Sequence, residues 1–223
     1  MLRVALTGGL GAGKSTAGRM FRALGAHLLS SDEMGRELMQ PGQPVYAAIV
    51  QHFGGQVELP GGGLDRAALG RLAFSEGRVE ELNSIVHPAV ISRQAEIIER
   101  IAREDPAAVV MVESALVFET RHGGAGGWAQ RFDKIVLVTA PEDVKVARYV
   151  DRASKGAPLS DDQRAALEAE ARSRLAQQIP DERKAALSDY VLTNDGPATE
   201  LEWQVDRLWP ILQEQARSEP KAL

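Results

Sequence analysis

The chain has 223 residues, with 26 lysines and arginines against 31 aspartates and glutamates, a net charge of −5 and no cysteine. That composition excludes a disulfide framework, a thiolate nucleophile and a Cys-ligated zinc or iron–sulfur centre, and it lacks the basic excess of a nucleic-acid binder. The longest apolar run, residues 107–112, is far short of the ~20 residues that cross a bilayer, and the opening residues leave no room for a signal peptide. A cytoplasmic protein without membrane or nucleic-acid partners is expected.

Residues 3–7 (Arg-Val-Ala-Leu-Thr) are the first of five short runs rich in Val, Ile and Leu; the others are 26–29, 107–113, 133–139 and 189–193. None alternates polar with apolar, so they read as strands buried on both faces of a parallel sheet. Helical spacing of apolar residues runs over 15–24, 79–103, 141–151, 159–178 and 197–217. In the last of these Leu201, Val205, Leu208 and Leu212 form one stripe, and Trp203 and Trp209 are expected in the core. Strands alternating with helices predict a three-layer α/β fold with a five-stranded parallel sheet.

The stretch 32–104 is too long for a single crossover and reads as an inserted, largely helical subdomain. Gly54-Gly55 and Gly61-Gly62-Gly63 mark turns within it, and a helical pattern restarts over 64–74. A second excursion, 152–184, is dense in charged residues, Gln and Ala; it reads as a helical lid or as a solvated surface helix. Residues 218–223 are expected to be a frayed tail.

Gly8-Gly9-Leu10-Gly11-Ala12-Gly13-Lys14-Ser15 fits the G-x-x-x-x-G-K-[ST] spacing and lies between a strand and a helix, the context a P-loop requires. Its glycines allow backbone N–H groups to turn inward around a β-phosphate at the positive end of the helix that follows. Lys14 is placed to reach the β- and γ-phosphates of ATP, and the Ser15 hydroxyl is a hard oxygen suited to Mg²⁺. No guanine-reading N-K-x-D occurs at the candidate positions, 133–136 and 194–197, and the chain is too short for a transport ATPase. A small-molecule kinase remains. Asp32, after the second strand, is placed to accept the proton of an acceptor hydroxyl; capping the helix that begins at Glu33 is the alternative.

Several segments together resemble one family in order. The opening from Leu6 to Thr16 is similar to the start of the dephospho-CoA kinases, which make the last step of coenzyme A synthesis. Asp32-x-x-x-Arg36 with Gln40-Pro41-Gly42 resembles the acidic motif of that family, and Leu82-Asn83-Ser84-Ile85-Val86-His87-Pro88 its L-N-x-I-x-H-P signature. Leu116-Val117-Phe118-Glu119, Arg148-x-x-x-Arg152, the Arg174 to Pro180 stretch and the Asp189 to Gly196 strand and loop match further segments, so the resemblance covers nearly the whole chain.

The resemblance implies a P-loop kinase using ATP and Mg²⁺ to phosphorylate the 3′-hydroxyl of dephospho-CoA, as a monomer or weak homo-oligomer. It implies ATP contacts from Gly8, Gly9, Leu10, Gly11, Ala12, Gly13, Lys14, Ser15, Thr16, Arg148 and Asn194, with Ser15 on the metal. Acceptor contacts fall to Thr7, Asp32, Arg36, His87 and Leu116, and catalysis to Asp32, Lys14 and Arg152. Read from the residues alone, His87 is equally a histidine hydrogen-bonded beneath a helix start, and Arg148 and Arg152 are equally partners of Asp151 and Glu142. A nucleoside monophosphate kinase and an ATP-binding regulatory module stay open as alternatives. Departures from the family are Ser30-Ser31-Asp32 for D-A-D, Glu113 for Asp, Ala115 for Pro, and a longer stretch between Arg152 and Arg174.

Overall fold

A computed structural model describes residues 1–120 and 127–218; His122 and residues 219–223 of the expected tail lie outside the described residues. The sheet has five strands, β1 (Leu2–Thr7), β2 (His27–Ser30), β3 (Val109–Glu113), β4 (Lys134–Thr139) and β5 (Tyr190–Thr193), in the order β2-β3-β1-β4-β5. β1 is central and pairs in parallel with β3, Leu6 facing Glu113, and with β4, Thr7 facing Leu137; β4 pairs in parallel with β5. Val4, Leu6, Met111, Val136 and Val138 are buried on one face of the sheet and Ala5, Val110, Val112, Ile135 and Leu137 on the other, which is why no polar residue alternates along these strands.

The helices, in chain order, are α1 (Lys14–Ala23), α2 (Ser31–Leu38), α3 (Pro44–Phe53), α4 (Arg66–Gly70), α5 (Val79–Glu104), α6 (Gly127–Arg131), α7 (Glu142–Ser154), α8 (Asp161–Ala176), α9 (Asp181–Ala186) and α10 (Ala198–Ser218). The stripe Leu201, Val205, Leu208 and Leu212 is the buried face of α10 and packs with Phe21 of α1 against the strands. Trp209 joins this core, its ring 6.4 Å from that of Phe21. Trp203 does not. It is 59% exposed, with the Arg207 guanidinium 4.7 Å above its ring. Two positions past Leu201, it falls on the opposite side of a helix whose faces repeat every three to four residues.

The chain divides into two compact units. One takes in Met1–Leu29, Ile101–Glu119 and the chain from Trp128 onward; the other takes in Ser30–Arg100. The second unit has its own core, in which Val45, Ile49 and Phe53 of α3 meet Val57, Leu69 and Leu72, with Leu82, Ile85 and Val86 of α5 against them. The helical pattern expected over 64–74 resolves into the short α4, capped by the Asp65 carboxylate on the N–H groups of Ala67 and Ala68, followed by a π-helical turn over Arg71–Ser75.

Candidate active site

Within the first unit, the carboxyl ends of the strands bring together the P-loop after β1, Glu113 of β3, Thr139 of β4 and Asn194 after β5. In open parallel sheets this is the edge where ligands bind. The loop geometry depends on glycine at two positions in particular. Gly11 has φ +74° and packs so tightly on α7 that a Cβ there would lie 2.3 Å from the Lys145 carbonyl oxygen. Gly13 has φ +99°, and its Cβ would lie 2.0 Å from Asn194 Nδ2. That amide donates to the Ala12 carbonyl at 2.8 Å, tying the β5 loop to the P-loop.

Lys14 Nζ donates to the carbonyls of Gly8 and Gly9, both at 3.0 Å, and so crosses the mouth of the loop. Ser15 Oγ donates to Glu113 Oε1 at 2.5 Å. A hydroxyl beside one carboxylate is a hard-oxygen pair of the kind Mg²⁺ takes when phosphates and waters complete its shell. Among the described residues no group of three His, Asp or Glu side chains forms a cage for a metal.

Arg148 donates from Nη1 to the Asn194 carbonyl at 2.8 Å, so it braces the loop that touches the P-loop rather than pairing with Asp151 or Glu142. Glu142 is held instead by Arg172, at 2.5 Å. Arg152 lies over Tyr149, its guanidinium carbon 5.8 Å from the ring centre, with Arg174 of α8 at 5.6 Å. Burial, aided by Glu170, pushes the Tyr149 phenol up from its ordinary pKa. Beneath these groups Val146, Tyr149 and Ala171 pack with Leu167 and Leu175, and Leu10 of the P-loop joins them, so α7 and α8 rest directly on the nucleotide loop. Thr7 is fully buried at the end of β1, and Leu116 sits in the loop after β3, its N–H on Ser114 Oγ at 3.2 Å.

Asp32, Arg36 and His87 belong to the second unit. Asp32 is not the cap of its helix: Ser30 is, its Oγ accepting from the Glu33 N–H at 3.3 Å. Ser31 Oγ accepts from Gln94 Nε2 at 2.9 Å, anchoring the start of α2 to α5. Ser30, which replaces the first acidic residue of the family motif, thus caps the helix and Ser31 anchors the turn, while Asp32 stays exposed. His87 lies inside the 26-residue α5 next to Pro88, not beneath a helix start.

Two buried ion pairs went unread in the sequence. Lys145 is 6% exposed and pairs with Asp181, which also accepts from the Thr139 hydroxyl. Its ammonium would stand 3.4 Å from a Cβ on Gly9, against the back of the P-loop. The shared face of Lys145, Arg148 and Arg152, three and four residues apart on α7, was the available signal. Lys184, fully buried, faces Glu119 Oε1 at 2.9 Å, and the same oxygen accepts the Ile179 N–H at 3.2 Å. Nothing local in the sequence links residues so far apart.

The family profile described as dephospho-CoA kinase matches residues 2–200. A dephospho-CoA kinase of Thermobifida fusca is 35% identical over 219 residues, 98% of this chain and 100% of its own. One from Mycolicibacterium paratuberculosis is 38% identical over 94% of this chain, which spans 47% of that longer protein. A crystal structure of a Thermus thermophilus protein superposes with a TM-score of 0.71 at 30% identity, covering 95% of this chain and 97% of the other. The common fold is the five-stranded parallel P-loop architecture.

Proposed function

This chain belongs to the dephospho-CoA kinase family, and we propose that it transfers the γ-phosphoryl group of ATP to the ribose 3′-hydroxyl of dephospho-CoA, giving coenzyme A and ADP. The observation that carries the reading is the P-loop, with Ser15 bonded to Glu113, in a chain that matches the family over residues 2–200. The 3′-oxygen forms a bond to the γ-phosphorus as the bond to the β–γ bridging oxygen breaks; ADP leaves, and the hydroxyl proton passes to Asp32. Such transfers have a loose transition state, so positioning and charge neutralisation supply most of the rate.

The amides from Gly8 to Thr16 and the Lys14 ammonium hold the β- and γ-phosphates, with Arg148 and Asn194 fixing the loop around them. Ser15 and Glu113 would hold Mg²⁺, which when bound neutralises charge on the β- and γ-oxygens. On this reading residues 32–104 form the acceptor-binding subdomain and Asp32, Arg36 and His87 are its acceptor contacts; the resemblance to the family gives acceptor roles to Thr7 and Leu116 as well. Residues 152–184 form a lid that excludes water, and Arg152 meets the transferring phosphoryl group when it closes. The test is an ADP-release assay with dephospho-CoA against AMP, CMP and shikimate: turnover with dephospho-CoA alone is expected, whereas nucleotide binding without phosphorylated product would mean a regulatory module.

A further inference from the structure

A carboxylate stands directly behind the nucleotide loop. α9 opens on Asp181 and Glu182, acidic residues of the kind that first helical turns favour, and Asp181 comes to rest against Gly9. A Cβ built on that glycine would lie 3.5 Å from Asp181 Oδ1 and 3.4 Å from Lys145 Nζ. The Gly9 carbonyl is one of the two that hold the Lys14 ammonium. A negative charge at this place opposes the anion that a P-loop is built to take.

Lys145 removes the conflict. Its ammonium is bonded to Asp181 Oδ2, to which the Thr139 hydroxyl also donates. The lysine and aspartate side chains are only 8% and 20% exposed, so salt screens either charge weakly. Stability alone does not call for such a pair, because apolar residues of similar volume commonly serve as well or better. What an apolar pair lacks is a charge on each side of the balance behind Gly9.

Resting on the reading of the P-loop as the ATP site, we propose that Lys145 is a positioning residue that acts on ATP through Asp181, keeping the ground behind Gly9 and Lys14 neutral so that the triphosphate is not repelled. Loss of the lysine charge alone exposes the phosphates to an uncompensated carboxylate. Loss of the carboxylate charge alone leaves a second cation behind the loop. The two changes therefore move ATP affinity in opposite directions, whereas the loss of a mere strut weakens binding from either side.

Lys145→Gln and Asp181→Asn keep hydrogen-bonding groups at both positions and remove one charge each. The measurement is Kd for ATP and for ADP by isothermal titration calorimetry on the full chain. Lys145→Gln is expected to raise Kd for ATP by about tenfold and Kd for ADP by less, since ADP carries less charge. Asp181→Asn is expected to lower Kd for ATP by about threefold or more, and the double variant to return it to within about twofold of the unaltered protein. Weaker ATP binding in both single variants, an equal loss for ATP and ADP, or affinities unchanged throughout overturns the proposal and leaves the kinase reading standing. Should one single variant fail to fold, the other decides with the double variant: a shift of the stated sign that the second change reverses supports the proposal, and a shift of the opposite sign, or none, overturns it. No binding of ATP by the unaltered protein overturns the reading of the P-loop as the ATP site, and this proposal with it.

Discussion

Ser15, in the first turn of α1, donates its hydroxyl proton to Glu113, the last residue of β3, at 2.5 Å. The contact exists because β1 and β3 are neighbours in register, Leu6 opposite Glu113. It places a carboxylate beside the hydroxyl that follows the P-loop lysine.

Glu113→Gln retains a hydrogen-bond acceptor and removes the charge. It is expected to lower kcat by ~10–100-fold, the range for a group that supports a metal site, and to raise the Mg²⁺ concentration needed for half-maximal rate. Initial rates over a Mg²⁺ titration check this. An unchanged titration midpoint would remove Glu113 from the metal site.

Asp32→Asn is expected to reduce kcat by ~10²-fold or more with little change in KM for ATP. Melting temperature should stay the same, because Ser30 and not Asp32 caps α2. A melting shift without loss of kcat would return Asp32 to a structural role.

How much of this was legible beforehand varied with the range of the interaction. The five strands and the P-loop were readable because continuous Val, Ile and Leu runs and a fixed glycine spacing are local signals. Trp203 was misplaced because an aromatic in an apolar-rich helix reads as core until its angular position relative to Leu201 and Leu208 is considered. The capping of α2 by Ser30 was missed because Asp32 is also a favoured cap and both precede the same apolar residue, Met34. Lys145 with Asp181, and Lys184 with Glu119, lie 36 and 65 residues apart and meet only through tertiary packing.

Arg148 and Arg152 should separate kinetically. Arg148→Ala frees the Asn194 carbonyl and loosens the strut on Ala12, so KM for ATP should rise. On the proposed lid reading Arg152→Ala removes a contact made only on closure, and kcat should then fall more than ATP affinity does. Equal kcat in both variants and the unaltered protein would exclude the lid role. A change in melting temperature alone would leave Arg152 as a partner of Tyr149.

Lys145→Met leaves Asp181 uncompensated behind the P-loop. Breaking a buried pair from one side costs ~3–5 kcal/mol, and chemical denaturation should show a loss on that scale. Lys145→Met with Asp181→Leu should recover much of it, because the double change removes both charges. Additive losses would show that the pair does not interact.

Glu81, bonded to Arg78 and His52, has its carboxyl held down at about 2. A depressed carboxylate contributes stability above its unfolded pKa and loses that contribution as pH falls towards its folded value. Glu81→Gln should therefore flatten the acid limb of the stability curve between about pH 4.5 and 2. An acid limb of unchanged slope would mean that the Arg78 and His52 contacts are not maintained in solution.

The most direct measurement is ³¹P NMR of the product formed from ATP and dephospho-CoA. One new phosphomonoester resonance, coupled to the ribose H3′ and accumulating in equal amount with ADP, is the predicted result. ADP and inorganic phosphate with no such resonance would show that the P-loop hydrolyses ATP without transferring to the acceptor, and would contradict the account.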